Sequence, residues 1–185
     1  SSYVGDIRRK LRLYGIQDEF INRKLSQTVQ AVRTVLDLSM NLKNLIASSG
    51  EALAGDHVYV SPKVLLHRAC ESCEKKSSVL IQIDISEDIF DVYVLEKSVQ
   101  DILYNLVNNA IEAMPQGGKL TLRAYNKNDS VVVEVSDTGI GISEQIHKKI
   151  FSLFFSTKGN SGFGLWSARQ NALRNHGDLS VESEI

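Results

Sequence analysis

The most regular hydrophobic pattern in the chain lies between Val99 and Met114 and predicts an amphipathic helix. Apolar residues recur there at helical spacing, namely Val99, Ile102, Leu103, Leu106, Val107, Ala110, Ile111 and Met114. At about 100° per residue, the polar residues fall on the opposite stripe: Asp101, Asn105, Asn108, Asn109 and Glu112. This helix organises the chain, because its polar face carries the first candidate chemistry.

The asparagines on that polar face need a physical reason. Asparagine is a poor helix former, since its amide competes for backbone hydrogen bonds. A merely solvated face would use Lys, Glu and Gln, which are better helix formers. Amide and carboxylate oxygens suit a hard cation and its waters, which in turn can hold phosphate. The face therefore predicts either a metal–phosphate site or an exposed polar surface that happens to be rich in asparagine.

Residues 1–50 carry a different periodicity, which predicts two helices. The first ends near Tyr14, and Asp18 is a suitable N-cap for the second. The second helix has a heptad seam formed by Ile21, Leu25, Thr28, Val32, Val35, Ser39, Leu42 and Ile46. Because it also has a second apolar flank, we expect a helical hairpin that pairs with another copy as a dimeric four-helix bundle. The alternative is that this helix packs on its own domain.

Residues 51–61 are predicted to be a linker, and residues 62–185 a second domain in which helices and mainly antiparallel strands are interleaved. The predicted elements are a helix from Pro62 to about Lys76, strands at Val79–Ile85, Asp91–Val94, Lys119–Tyr125 and Val131–Ser136, a short helix after Ser143, a helix at about Gly164–Arg174 and a strand at Leu179–Val181. The first of these helices is expected to turn Val64, Leu65, Ala69 and Cys73 toward the core. A turn of the four residues 126–129 joins two of the strands. The predicted fold class is α+β: the hairpin, followed by an α/β sandwich with helices on one face of a mixed sheet.

The composition is that of an ordinary soluble globular protein. The formal net charge is −1, so nothing favours a general nucleic-acid or membrane-surface binder. No apolar run approaches transmembrane length, and no signal-peptide pattern opens the chain. Cys70 and Cys73 lie on one predicted helix without a second cysteine pair, which favours reduced thiols over a metal site and agrees with a cytoplasmic protein.

Two glycine-rich loops follow in the second half of the chain. The first runs from Asp137 to Ile142 directly after a predicted strand; it contains Gly139 and Gly141, which let the backbone pass close to a ligand. Asp137, at the strand end, can accept a hydrogen bond from an exocyclic amine. The second loop, residues 157–165, leads into a helix whose backbone N–H groups suit phosphate. Neither loop is a P-loop or a dinucleotide fingerprint.

Taken in order, these stretches resemble the ATP-binding fold shared by gyrase, Hsp90, sensor histidine kinases and MutL. Residues 105–114 look like its N-box, residues 137–141 like its first glycine box, and residues 162–165 like its second glycine box. Residues 150–158 look like the F-box, a histidine-kinase feature within this superfamily. The closest similarity is to nitrogen-regulator-type sensor kinases, and it covers the chain from about Pro62 to its end.

The resemblance implies a role for each motif residue. Asn109 is expected to ligate Mg²⁺, Asn105 to contact phosphate or a metal-bound water, and Asp137 to accept from the adenine amino group. Gly139 and Gly141 would let the backbone approach the base. The lid and the phosphate cradle would consist of Thr157, Lys158, Gly162, Gly164 and Leu165. Glu112 either holds a metal-bound water or caps the polar face, and Phe151, Phe154 and Phe155 are expected to be lid-anchoring core.

The implied activity is transfer of the γ-phosphate of Mg-ATP to a histidine and then to a response-regulator receiver domain. None of the four histidines lies in residues 1–50, where the family carries its acceptor. The preferred hypothesis is an acceptor upstream of Ser1; the alternative is a protein without one. His57, His67, His147 and His176 are expected to be surface or satisfied structural histidines.

Two further departures concern the end of the chain. The family usually has His-Gly-Gly after the last helix, where this chain has Asn175-His176-Gly177, and the chain stops before the usual closing strand. Both predict an incomplete sheet edge, with the nucleotide motifs intact. The rival functions are an ATPase or nucleotide-binding switch of the same fold, a scaffolding domain and an anti-sigma-type serine kinase.

Overall fold

The computed structural model describes residues 56–71, 78–156 and 162–184, together with residues 14, 19–21, 23–24, 26–28, 31–32, 35 and 39. The chain divides into two compact units, Ser1–Leu53 and Ala54–Ile185. In the first unit, every described residue between 19 and 39 is helical, as the heptad pattern predicts for its second helix. The first helix of the predicted hairpin and the linker residues 51–55 lie outside the described residues, so the hairpin and its dimer stay predictions.

The second unit is an α/β domain. Its strands are β1 (Val58–Val60), β2 (Val79–Ile85), β3 (Val92–Val94), β4 (Gly118–Lys127) and β5 (Ser130–Asp137). Its helices are α1 (Pro62–Glu71), α2 (Glu96–Ala113), α3 (Glu144–His147) and α4 (Gly164–Arg174). No helix in the described part of the chain has both the length and the apolar character needed to cross a bilayer.

A mixed sheet of three strands in the order β2-β4-β5 is the base of this domain. β2 runs parallel to β4, and β4 runs antiparallel to β5. β1 and β3 form a separate antiparallel pair. The predicted mixed sheet is therefore confirmed.

The core lies between one face of the sheet and the helices. Leu120, Leu122 and Ala124 alternate along β4 and are fully buried, as expected of a strand with one covered face. The buried residues of α2 are Leu103, Val107, Ala110 and Ile111, and Met114, which directly follows the helix, is also buried. These belong to the apolar stripe that the sequence predicts, and their burial holds the polar face of α2 outward.

Several details of the sequence prediction need correction. In α1, Val64 is exposed, and Leu66 and Cys70 are buried beside the predicted Leu65 and Ala69; Cys73 lies outside the described residues. The hairpin between β4 and β5 has a two-residue turn, because Lys127 pairs directly with Ser130. Asn128 occupies that turn with a φ of 54°, a conformation that asparagine tolerates better than most residues. The predicted strand at Leu179–Val181 is not a strand in the structure.

Candidate functional site

The polar face of α2 meets the beginning of α4 at Asn105. The Asn105 amide nitrogen donates to the backbone carbonyl of Asp101 at 2.9 Å, one turn earlier, which orients the side chain along the helix. A Cβ built on Gly164 would lie 3.0 Å from Asn105 Oδ1. The N-box helix and the second glycine box therefore contact each other, and a side chain at position 164 would require the Asn105 amide to shift by a few tenths of an ångström.

Asp137 lies on the helix-covered side of the sheet, at the end of β5. Its cross-strand partner is Leu120, which is fully buried, and directly opposed residues point to the same face. Asp137 Oδ1 accepts a hydrogen bond from the Gly139 N–H at 2.8 Å. The carboxylate is otherwise exposed, so a ligand in front of the loop can reach it.

The first glycine loop rests on the end of α2. The Ile140 N–H donates to the Ala113 carbonyl at 3.1 Å. A Cβ on Gly139 would lie only 2.7 Å from both the Cβ and the carbonyl oxygen of Ala113. Gly141 has a φ of 68°, which glycine adopts at little cost. The glycines of this loop are therefore required by its packing on α2 and by its backbone conformation.

The second glycine box packs against the F-box segment through its backbone. Gly162 has a φ of 63°, and a Cβ there would lie 2.5–2.7 Å from backbone atoms of Phe154 and Phe155. Phe163 is buried, and its ring centroid is 5.1 Å from that of Trp166. Leu165 is half-buried in the first turn of α4. The chain on either side of residues 157–161 is thus held closely together.

The phenylalanines of the F-box do not form one core cluster. Ile150 is the buried apolar residue of this segment. Phe151 is half-buried, and the Arg169 guanidinium lies over its ring, 5.2 Å from the centroid. Phe154 is 59% exposed and has a φ of 64°, so the expectation that it belongs to a core is wrong. Its positive φ turns the backbone toward Gly162 and its side chain outward.

The two glycine-rich motifs are arranged along α2, which carries the N-box. The second glycine box contacts it at Asn105, and the first glycine loop contacts it at Ala113. Those positions are about 12 Å apart along the helix axis at about 1.5 Å per residue. Asn109 lies midway between them and is half-buried. Thr157 and Lys158 lie outside the described residues, so their place over this site stays a prediction.

Asn105 and Asn109 carry side-chain amide oxygens on this face of α2. Oxygen donors of this kind fit Mg²⁺, which keeps several waters and needs few protein ligands. Within the described ranges, no group of three His, Cys, Asp or Glu side chains could hold a metal.

None of the four histidines belongs to the motifs that form the candidate site. The prediction that they are surface or satisfied structural histidines is only partly correct. His67 and His176 are exposed, as predicted. His57 and His147 are half-buried, and each has a buried Nε2 atom without a hydrogen-bond partner among the described residues. They are therefore neither surface nor satisfied histidines. The centroid of the His57 ring is 5.4 Å from that of Tyr93 and 6.4 Å from that of His176.

Comparisons with known proteins agree on one family. The family model described as "Histidine kinase-, DNA gyrase B-, and HSP90-like ATPase" matches residues 94–185. Sporulation kinase E of Bacillus subtilis is 33% identical over 111 residues, which are 58% of this chain and 15% of that protein. Adaptive-response sensory kinase SasA of Gloeothece citriformis is 29% identical over 182 residues, or 94% of this chain and 46% of that protein. The chain thus spans less than half of each of these relatives.

Solved structures show the same fold. The nucleotide-free catalytic domain of histidine kinase ThkA is similar with a TM-score of 0.59 and 27% identity, covering 64% of this chain and 80% of that one. Histidine kinase ThkA in complex with response regulator protein TrrA is similar with a TM-score of 0.66 and 21% identity, covering 95% of this chain and 51% of that one. The ATP-binding α/β fold predicted from the motifs is therefore confirmed.

Proposed function

Residues 94–185 belong to the histidine kinase-, DNA gyrase B- and HSP90-like ATPase family, and we propose that this domain transfers the γ-phosphate of Mg-ATP to a histidine. The relatives that it resembles are sensor histidine kinases. The acceptor in this proposal is a histidine other than the four in the sequence, because none of those lies on the helical unit that precedes residue 54.

The observation that carries the proposal is the convergence of two glycine loops on one amide-lined helix. The loop after Asp137 packs on Ala113, and the beginning of α4 packs on Asn105. An adenine at the first contact and phosphates at the second would place one nucleotide along the polar face of α2. The backbone N–H groups at the beginning of α4 suit the phosphate end, since a helix N-terminus is electropositive.

Each site residue has one task in this proposal. The oxygen of Asp137 that does not accept from Gly139 accepts from the adenine amino group, which selects adenine over guanine. Gly139 and Gly141 keep the loop backbone close to the base. The phosphates are held by Gly162, Gly164 and Leu165 and covered by Thr157 and Lys158. The amide oxygen of Asn109 binds the magnesium ion, and Asn105 contacts phosphate or a metal-bound water.

The proposed catalysis is positioning and charge neutralisation. A bound magnesium ion neutralises and orients the phosphate oxygens. Lys158 adds positive charge beside the transferred group, and Asn105 holds the phosphate end of the nucleotide. An asparagine cannot act as a base, so Asn105 does not activate water. This favours slow hydrolysis and transfer to an imidazole nitrogen.

Two partners follow from the proposal. The ThkA structure contains a response regulator, and we infer that a receiver domain of that class accepts the phosphoryl group here. The heptad seam of residues 21–46 favours a homodimer through the N-terminal hairpin. No nucleic acid or membrane contact is part of the proposed function. ATP as substrate agrees with a cytoplasmic domain.

Incubation with ATP labelled at the γ-phosphate tests the proposal. A full-length protein with an acceptor histidine should form an acid-labile, base-stable phosphate on protein. The present chain should bind ATP with magnesium and form no stable phosphohistidine. Failure of this chain to bind ATP would refute the nucleotide site itself, and a phosphohistidine on one of its four histidines would refute the external acceptor.

An ATPase or nucleotide-driven switch is the second candidate. It rests on the family match of residues 94–185, whose description includes ATPases as well as histidine kinases. The same labelling experiment separates the two functions, because a switch of this kind releases free phosphate without a phosphoprotein. In the full-length protein, binding of ATP without either product indicates a non-enzymatic nucleotide sensor.

A further inference from the structure

The side-chain amide of Asn175 joins the end of α4 to the beginning of α2. Its Oδ1 accepts a hydrogen bond from the backbone N–H of Leu95 at 2.7 Å. Its Nδ2 donates to Ser98 Oγ at 3.0 Å and to the backbone carbonyl of Asn171 at 2.7 Å. The residue is half-buried, and both ends of its amide are used.

These bonds form a helix cap supplied from a distant part of the chain. Leu95 is the N-cap residue of α2 and makes no side-chain cap, because leucine has no acceptor. In a capping box, the side chain at N3 reaches back to the N-cap N–H. Here the N3 residue is Ser98, but the Leu95 N–H is bonded by Asn175 Oδ1 instead. Asn175 also donates a hydrogen bond to the Ser98 hydroxyl. Asn175 is also the C-cap residue of α4, so one side chain ties two helix ends.

The same two helices meet again at the candidate site. Gly164 lies against Asn105, with 3.0 Å between a built Cβ and Asn105 Oδ1. At about 1.5 Å per residue, the distance from Leu95 to Asn105 along α2 is about 15 Å, and the distance from Gly164 to Asn175 along α4 is about 16 Å. The helices run in opposite directions, because the end of one lies beside the beginning of the other. The cap at one end therefore sets how far α4 reaches along α2 at the other.

We propose that Asn175 is a positioning residue for nucleotide binding: its amide fixes the axial register of α4 on α2. Through that register it places Gly164 and Leu165 against Asn105. The proposal rests on the proposed nucleotide site, since it concerns the geometry of that site. A slide by one residue moves α4 by about 1.5 Å, which is enough to remove a backbone N–H from hydrogen-bond distance of a phosphate oxygen.

Two substitutions at position 175 and one control test this. Asn175→Leu keeps the approximate size of the side chain and removes all three side-chain hydrogen bonds. Asn175→Asp keeps the acceptor for the Leu95 N–H and loses the donor to Asn171. The control is Leu122→Val, which trims a fully buried core residue on β4 and leaves the cap untouched. All variants are compared under conditions where far-ultraviolet circular dichroism shows them folded.

The chain's single tryptophan supplies a readout that does not depend on nucleotide. Trp166 lies in the first turn of α4 and packs on Phe163, at the site end of the helix and far from position 175. Its emission spectrum in the folded state should shift in Asn175→Leu and stay unchanged in Leu122→Val. The dissociation constant for ATP with magnesium should rise about tenfold or more in Asn175→Leu and less in Asn175→Asp.

The outcomes separate this proposal from the proposed function. If Asn175→Leu binds ATP as the unmodified chain does and keeps its Trp166 emission, Asn175 is merely structural and the inference is overturned. An equal loss of affinity in Leu122→Val also overturns it, because general destabilisation then explains the effect. If the unmodified chain binds no ATP, the nucleotide site is refuted. In that case the Trp166 emission spectrum alone tests whether Asn175 fixes the register of α4 on α2. A shift in Asn175→Leu supports this role, and an unchanged spectrum overturns it.

Discussion

Gly139 donates its backbone N–H to Asp137 Oδ1 at 2.8 Å, so the glycine loop fixes one oxygen of the carboxylate and leaves the other for a ligand. Because Asp137 is opposite the buried Leu120, that second oxygen lies on the helix-covered side of the sheet. The loop thereby presents a single acceptor of defined direction next to the end of α2. An exocyclic amine is the donor that suits it.

Asp137→Asn should weaken ATP binding about 10- to 100-fold. The asparagine oxygen can keep the bond from Gly139, which leaves an amide NH₂ where the adenine amino group needs an acceptor. A hydrogen bond to a charged group contributes about 1.5–3 kcal/mol, and about 1.4 kcal/mol corresponds to tenfold. Titration calorimetry measures the change.

The matched control for Asp137 is Asp84→Asn. Asp84 lies on the other face of the same sheet, where it pairs with Arg123 at 3.1 Å and is exposed. Its substitution should leave ATP affinity unchanged, because exposed ion pairs contribute little. Equal affinity of Asp137→Asn and the unmodified chain would show that adenine is not bound at this loop.

Gly139→Ala should destabilise the domain by about 1–3 kcal/mol and abolish ATP binding. The added methyl group would lie 2.7 Å from the Cβ and the carbonyl oxygen of Ala113, and overpacking of this kind forces backbone shifts. Urea denaturation measures the loss. Gly177→Ala is the control, since its Cβ would meet nothing closer than 3.5 Å and should leave both quantities unchanged. A Gly139→Ala variant with ordinary stability would contradict the packing of the loop on α2.

Much of this fold could be predicted because its elements have strong local signals. The bounds of β2 and α4 agree with the prediction. In β2, apolar and polar residues alternate regularly, and α4 has a regular apolar face. The bounds of β4 and β5 were predicted too short. Asn128 and Asp129 alone make the turn, and a two-residue loop cannot be told from a four-residue loop when all its residues are polar.

The contacts that build the site could not be predicted from single positions. The sequence indicates that Asn105 and Gly164 belong to ligand-binding motifs, but their mutual contact depends on how two helices pack. Asn175 was missed as a helix cap, because its partner Leu95 precedes it by 80 residues. The only indication near α2 in the sequence is that Leu95, which has no side-chain acceptor, cannot cap its own helix. Phe154 is 59% exposed and has a positive φ, and nothing in the sequence around it predicts either property.

Asn109→Ala should remove the metal-dependent part of the ATP affinity. Asn109 lies midway between the two loop contacts on α2, and the substitution replaces its amide oxygen with a methyl group. Binding measured with magnesium should then equal binding measured with a chelator, whereas the unmodified chain should bind more tightly with magnesium. Lys97→Ala, on the same helix near its beginning, is the control and should keep the metal dependence. Unchanged metal dependence in Asn109→Ala would place the ion elsewhere.

Tyr125 should make the domain less stable above about pH 10. Its hydroxyl donates to Glu134 Oε1 at 2.8 Å, and this hydrogen bond, with desolvation and the negative charge of Glu134, raises the pKa of Tyr125. The unfolded-state pKa is about 10, so the stabilisation is fully present below that pH and is lost as the pH rises through the folded-state value. Urea denaturation at about pH 9 and about pH 11 should show a smaller decline for Tyr125→Phe than for the unmodified chain. Tyr104→Phe, at an exposed position of α2, is the control and should decline as the unmodified chain does.

The end of α4 contains a strained residue whose replacement should stabilise the domain. His176 has a φ of 56°. It occupies the position after the C-cap in a Schellman motif, with its N–H bonded to the Leu173 carbonyl and the Gly177 N–H bonded to the Ala172 carbonyl. Schellman motifs usually have glycine there, since a side chain in the left-handed region costs about 1 kcal/mol or more.

His176→Gly should therefore raise the free energy of unfolding by about 1 kcal/mol, and His176→Asn should give part of that gain, because asparagine tolerates the left-handed conformation. Both variants lose the ring contact with His57 at 6.4 Å, so a gain in both assigns the effect to the backbone. Arg174→Gly, within the last turn of α4, is the control and should lower stability by about 0.5–1 kcal/mol. If His176→Gly is less stable than the unmodified chain, the stacking of His176 on His57 outweighs the backbone strain. The pair of rings, rather than the Schellman motif, would then hold the end of the helix.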